Sequence, residues 1–200
     1  VNALVADTAL LADAAVQGKL ATRADVSRHQ GDFRKIVAGV NDTLDAVIAP
    51  LNVAAATVDR IARGDIPARI TAPCNGDFNL LKNNLNTCID AVNALVADTV
   101  MLANAAVDGR LATRADVSRH QGDFQKVVTG VNHTLDAVIG PLNVAATTVD
   151  RIARGDIPAK ITDPYNGDFA ILKNNLNTCI DAVNALVADT ALLADAAVQG

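Results

Sequence analysis

The sequence has no Trp, one Tyr and four Phe, so aromatics make up only 2% of a chain that is 50% hydrophobic. Globular α/β enzymes fill core volume with aromatic rings, and a chain without them points to slender helices packed at short distance. Glu is missing altogether: all 22 acidic residues are Asp. Lys and Arg number 17, giving a net charge of −5, which argues against a nucleic-acid surface and its clustered basic residues. No run of 18 uncharged apolar residues occurs, and the expectation is that nothing spans a membrane. The first residues, Val1 to Asp7, lack a basic region followed by an apolar stretch, so no signal peptide is expected. Cys74, Cys88 and Cys179 form no Cys-x-x-Cys pair and no disulfide framework, which fits a reducing, cytoplasmic setting.

What is abundant is repetition. Val-Asn-Ala-Leu-Val-Ala-Asp-Thr begins at Val1, Val92 and Val183, a period of 91 residues. Residues 1–91 and 92–182 differ at 16 positions and agree at 75. The chain begins and ends inside a repeat, as a fragment of something longer would. A weaker half-period lies within: Gly-Asp-Phe recurs with Phe33, Phe78, Phe124 and Phe169, at steps of 45, 46 and 45 residues. The chain therefore reads as four units in two alternating kinds, 1–47, 48–92, 93–138 and 139–183, with 184–200 opening a fifth.

Between these marks the apolar residues step alternately by four and three. One seam is Phe33, Val37, Val40, Leu44, Val47, Leu51, Ala54, Val58 and Ile61; the next is Phe78, Leu81, Leu85, Cys88, Val92, Leu95, Thr99, Leu102 and Ala106. Ile36, Ile89 and Val96 widen the stripe, which suits a four-helix core better than a two-stranded coil. The 91-residue period equals thirteen heptads, so successive repeats present the seam on one face. Cys88 and Cys179 on the seam read as small core residues.

Helix ends carry their own chemistry. Asp32, Asp77, Asp123 and Asp168 stand ahead of the seams, where a carboxylate can accept free backbone N–H groups. Gly18, Gly64, Gly109 and Gly155 follow the last seam residues and suit left-handed C-terminal caps. The spacing predicts helices over 1–17, 32–63, 77–108, 123–154 and 168–199. The connectors between them hold Pro67, Pro73, Pro158 and Pro164. Pro50 and Pro141 fall inside predicted helices, beside small Ala49 and Gly140, and predict bends there.

Connector length constrains the topology. A 32-residue helix spans about 48 Å, while about 13 extended residues reach at most roughly 40 Å. Such a connector can run back along half a helix, about 24 Å, and start the next helix parallel to the first. Leu20, Ile66, Leu111 and Ile157 would pin it to the helices, with Ile70 and Ile161 as second anchors in the second and fourth units. In the longer first connector the matching anchor is either Val26 or Ala24. Two half-helices leave a wide stripe uncovered; a second, parallel copy would complete a four-helix bundle, and four stacked units would make a rod on the order of 100 Å.

This pattern resembles the HAMP domain, the relay module of bacterial chemoreceptors and histidine kinases. The second unit carries the family's features in order: Pro50 and Leu51, Gly64-Asp65-Ile66, Ile70, Gly76-Asp77-Phe78, Leu81, Leu85 and Asn86. The fourth repeats them from Pro141 to Asn177. The family's usual Asp-Glu opener is Gly-Asp here, and the first and third units have Gly-Lys-Leu or Gly-Arg-Leu and lack the Pro. The series is also similar to tandem HAMP arrays in chemoreceptor-like proteins. The resemblance implies an all-α fold and transmission rather than chemistry. It implies a parallel homodimer that passes a change of helix packing to a kinase or chemoreceptor module outside this chain, without cofactor, nucleic acid or direct membrane contact. A structural rod or spacer is the alternative reading; an enzyme is a distant third, for want of a catalytic constellation.

Other side chains read modestly. His29 and His120, in matching Ser-Arg-His-Gln-Gly-Asp connectors, are expected to be solvated or hydrogen-bonded, and His133, where Asp42 stands in the first repeat, has no expected role. No His, Cys and carboxylate cluster suggests a metal. Cys74 is expected to be exposed. Of the Asn83, Asn84 and Asn86 group, one is expected to bond backbone near the next connector. Without Glu, and with Gln only in places such as Gln17 and Gln125, an adaptation region with methylated side chains is not expected.

Overall fold

A computed structural model describes residues 1–199. Five α-helices account for most of them: α1 Asn2–Val16, α2 Gly31–Ala62, α3 Gly76–Val107, α4 Gly122–Ala153 and α5 Gly167–Gln199. Two short 3-10 turns, Val26–Arg28 and Val117–Arg119, interrupt the first and third connectors. Among the described residues there is no strand, so the fold is all-α, as the heptad pattern requires. The chain divides into two compact parts, Val1–Val96 and the residues from Ala97 onward. Gly200, the last residue of the expected fifth unit, lies outside the described residues.

The helices end where glycine allows. Gly18, Gly64, Gly109 and Gly155 have φ between 70° and 79°. Each closes a paired C-terminal cap: at the first, Gly18 N–H donates to Ala15 O at 3.0 Å and Lys19 N–H to Ala14 O at 2.8 Å. The helix starts differ from expectation by one residue. Gly31, Gly76, Gly122 and Gly167 begin the helices with φ of 52° to 57°. Asp32 and Asp123 thereby fall inside the first turn, and the N-cap position passes to Gln30 and Gln121, whose side chains make no capping bond. The two Asp carboxylates turn instead to Lys35 and Lys126, at 3.0 and 2.8 Å. Asp77 and Asp168 also lie in first turns. All four acidic groups keep the favourable interaction with the positive helix end.

Helices α2 and α4 continue through Pro50 and Pro141 without interruption. Proline removes one hydrogen bond per site but does not end either helix.

Within each unit the neighbouring half-helices run the same way. In the first, Asp7 of α1 meets His29 just ahead of α2, Leu11 shares a small void with Val40, and the Gly18 turn lies beside Asp45 and Ile48. Advancing along α1 thus advances along α2. In the second unit the connector descends antiparallel to α3: Arg69 meets Asp90, Ile70 meets Asn86, and Ala72 meets Lys82. The fourth repeats this with Lys160 on Asp181, Ile161 on Asn177 and Asp163 on Lys173. A connector returning along the following helix is the topology its length demands.

The buried side chains recur at the 91-residue period: Val37 and Val128, Ile48 and Ile139, Ile89 and Ile180, Ala24 and Ala115. Ile89 and Ile180, beside the seam rather than on it, are the most completely buried, at 0% and 1% exposure. An Ile89→Val exchange removes one buried methylene, and a loss of about 1 kcal/mol is expected in urea unfolding. An unchanged midpoint would mean that Ile89 is not packed as described.

Two helices, Gly31–Ala62 and Gly76–Val107, each contain an 18-residue window apolar enough to cross a membrane by length and composition. Ala, Val, Leu and Ile keep mean hydropathy high where few charges fall, so an amphipathic bundle helix passes the same test.

Candidate functional site

The polar groups gather on the connectors, where each chain reversal is fastened to the helices. An Asn ten residues beyond the Gly of each Gly-Asp-Phe grips the preceding connector with both ends of its amide. Asn86 accepts from Ile70 N–H at 2.7 Å and donates to Ile70 O at 3.0 Å. Asn177 does the same to Ile161, at 2.8 and 3.0 Å. Asn41 clasps Ala24 at 3.1 and 2.9 Å, and Asn132 clasps Ala115 at 3.0 and 2.8 Å. The amide stands in for the strand partner that this extended connector residue lacks.

The clasp decides the first-unit anchor in favour of Ala24, which is 5% exposed; Val26 instead opens the 3-10 turn. It also corrects the role expected of the Asn group. Asn86 bonds the connector before its helix, not the one after, because the connector folds back along α3. Nothing in the sequence singled out Asn41 and Asn132, although their offset from Gly31 and Gly122 equals that of Asn86 from Gly76.

Beyond the common clasp, the two kinds of unit differ. In the first, Arg23 bonds Asp45 at 2.6 Å and donates to the carbonyls of Leu20 and Thr22. Asp25 caps the 3-10 turn, and hydrogen bonds from the Ser27 hydroxyl and N–H hold its carboxyl below the usual range. Asp116 and Ser118 repeat this in the third unit. In the second and fourth units the helix cap itself is forked: Arg60 binds Asp65, and Arg151 binds Asp156, through two nitrogens each. These guanidiniums hold both carboxyls below their usual range, and the carboxylates in turn raise the two Arg groups. The forked pairs are exposed, so screening leaves them little net stabilisation.

His29 and His120 take the hydrogen-bonded of the two states expected for them, and both are buried. They are 6% and 4% exposed, and their Nε2 atoms lie 2.5 Å from Asp7 and 2.6 Å from Asp98, which are themselves 3% exposed. A carboxylate only accepts, which places the proton on Nε2. Arg28 and Arg119 add a second donor to the same carboxylates, at 3.4 and 3.0 Å. Asp7 and Asp98 had no expected role, since a helical Asp in an Asp-rich chain reads as a solvated residue.

The apolar anchors divide by unit. Ile66, Ile70, Ile157 and Ile161 are half-buried. Leu20 and Leu111 remain about 40% exposed and do not pin the connector within one chain (42% and 39%). They sit in the turn that follows the helix cap, where Thr22 N–H bonds Lys19 O, and the buried Ala and His do the fastening.

The seam residues expected in a dimer core divide in the same way. Val37 is buried; Leu44, Phe78, Leu81, Leu85, Val92, Leu95 and Leu102 are half-buried; Phe33, Val40, Val47, Leu51 and Cys88 are exposed. Cys88 and Cys179 are thus not core residues of the single chain, whose packing uses Ile89 and Ile180 beside them. Cys74 is half-buried rather than exposed, because it lines the groove between α2 and its connector. Among the described residues no three His, Cys or Asp side chains gather as a metal-holding group.

Two parallel half-helices, a glycine-capped turn and an Asn-clasped returning connector make up each unit. The family model for the HAMP domain matches residues 28–94 and again 119–185, two spans related by the same 91-residue shift and together covering more than half of the chain. HAMP domains are signal-relay linkers of chemoreceptors and kinases and are themselves non-catalytic. The chain belongs to the HAMP family, as a tandem series of its domains.

Proposed function

We propose that this segment works as a parallel homodimer that carries a change of helix packing towards a kinase or chemoreceptor module, on the cytoplasmic side of whatever anchors the parent protein. The uncovered seam supports this reading. Phe33, Val40, Val47 and Leu51 are 42–43% exposed, and Phe124, Val131, Val138 and Leu142 are 38–43% exposed at the same places in the next repeat. The single chain exposes 13550 Å² for 20.7 kDa. Two separate compact bodies of half that mass would together expose only about 10,700 Å². The exposed seam is apolar, periodic and in phase with itself, the property of a surface that pairs with its own copy.

Cys88 tests the arrangement, because an in-register parallel pair brings each Cys88 to its own counterpart. In a Cys74→Ser, Cys179→Ser chain, mild oxidation is expected to yield a disulfide-linked dimer, and sedimentation is expected to give twice the chain mass before oxidation. A monomer across the micromolar range, or a dimer that Cys88 never links, would overturn the proposal.

A further inference from the structure

The buried Asp–His pairs distinguish the two kinds of unit at one place in the fold. Aligned on Gly18 and Gly64 and on Gly31 and Gly76, Asp7 corresponds to Val53 and His29 to Cys74. In the next repeat Asp98 corresponds to Val144 and His120 to Tyr165. In the second unit Val53 and Cys74 face an open groove of about 420 Å³ between α2, the connector and α3. In the first, the corresponding region beside Asp7 is a void of about 90 Å³. The ionisable groups that meet Asp7 are His29 and Arg28; from α2 the same void is lined by the apolar Ile36, Val37 and Val40.

We propose that the Asp–His pair makes the first and third units the register-fixed kind and leaves the second and fourth as the compliant kind. A desolvated Asp–His hydrogen bond tolerates little sliding, since any shift strands a buried polar group. Val53 and Cys74, lining an open groove, carry no buried polar pair and can adopt several packings of similar free energy; Val144 and Tyr165 hold the matching positions of the fourth unit. A relay built this way alternates stiff and yielding joints, and a displacement entering one end is taken up at the second and fourth units. Only that consequence rests on the relay reading; the difference in stiffness does not.

Hydrogen–deuterium exchange on the whole chain, resolved by segment, tests it. The double exchange Asp7→Val with His29→Cys gives the first unit the second unit's residues without stranding a charge. Exchange over 24–30 is expected to accelerate about tenfold, while 115–121, where Asp98 and His120 are intact, stays unchanged as an internal control. The reverse graft, Val53→Asp with Cys74→His, is expected to slow exchange over 70–75. Unaltered exchange over 24–30 in a folded double variant would overturn the proposal. Should the first graft fail to fold, the reverse graft decides alone, and unchanged exchange over 70–75 then overturns it. The comparison is made within one chain, so loss of dimerisation or of signalling output would show separately.

Discussion

An Asn86→Leu chain is expected to lose about 2–6 kcal/mol of stability and to exchange the amides of 68–72 on the order of 100-fold faster. Leucine is similar in size but offers neither donor nor acceptor, so Ile70 N–H and O lose their partners together. Each stranded backbone group costs about 1–3 kcal/mol. Among the described residues, the polar contacts then left between the connector and α3 are the exposed Arg69–Asp90 pair and the Lys82–Ala72 bond. Asn83→Leu is the control: Asn83 is exposed, and such changes usually move stability by less than about 0.5 kcal/mol. Urea unfolding with segment-resolved exchange reads both. Equal midpoints for the two variants would show that the clasp does not hold the connector.

The second large effect concerns the seam. Val40→Asp combined with Val131→Asp is expected to weaken dimerisation by at least 1000-fold while the isolated chain keeps its helices. Both side chains are about 40% exposed in the single chain (42% and 41%), where a carboxylate remains hydrated. In the paired form each would be buried opposite its own copy, two like charges at each of two separate places on the seam. Each such burial costs several kcal/mol, and a tenfold change in affinity corresponds to about 1.4 kcal/mol. Sedimentation over a concentration series measures the dissociation constant, and far-ultraviolet circular dichroism confirms the helices. An unchanged dimer would mean that the seam faces something other than a second copy.

The two variants probe different sources of structure, and the sequence made only one of them plain. The seam was legible because Phe33, Val37, Val40 and Leu44 lie on one helix and their spacing states which face they share. The four C-terminal glycines were legible because a Gly directly after a periodic run marks where a helix can turn left-handed at no steric cost. The helix starts were misplaced by one residue, since Asp in Gly-Asp-Phe is a good cap and the preceding Gly was not expected at a φ above 50°. The Asn clasp was half legible. Asn86 stood out among several Asn, but its partner depended on which way the connector folds.

The Asp–His pairs were not legible at all. Their members lie 22 residues apart, on a helix and at a connector's end, and neither residue type predicts burial. Only the parallel return of the chain brings them together and removes water from around them.

By itself the sequence determined the period, the helices, their caps and the apolar face, and therefore the family, because backbone preference and side-chain periodicity are local properties. The tertiary structure decided which polar groups fasten each connector, that Ala24 rather than Val26 is the anchor, and that alternate units are closed by a buried pair. Those outcomes depend on atoms distant in the chain meeting where water is excluded, and no local rule of composition or spacing encodes such a meeting.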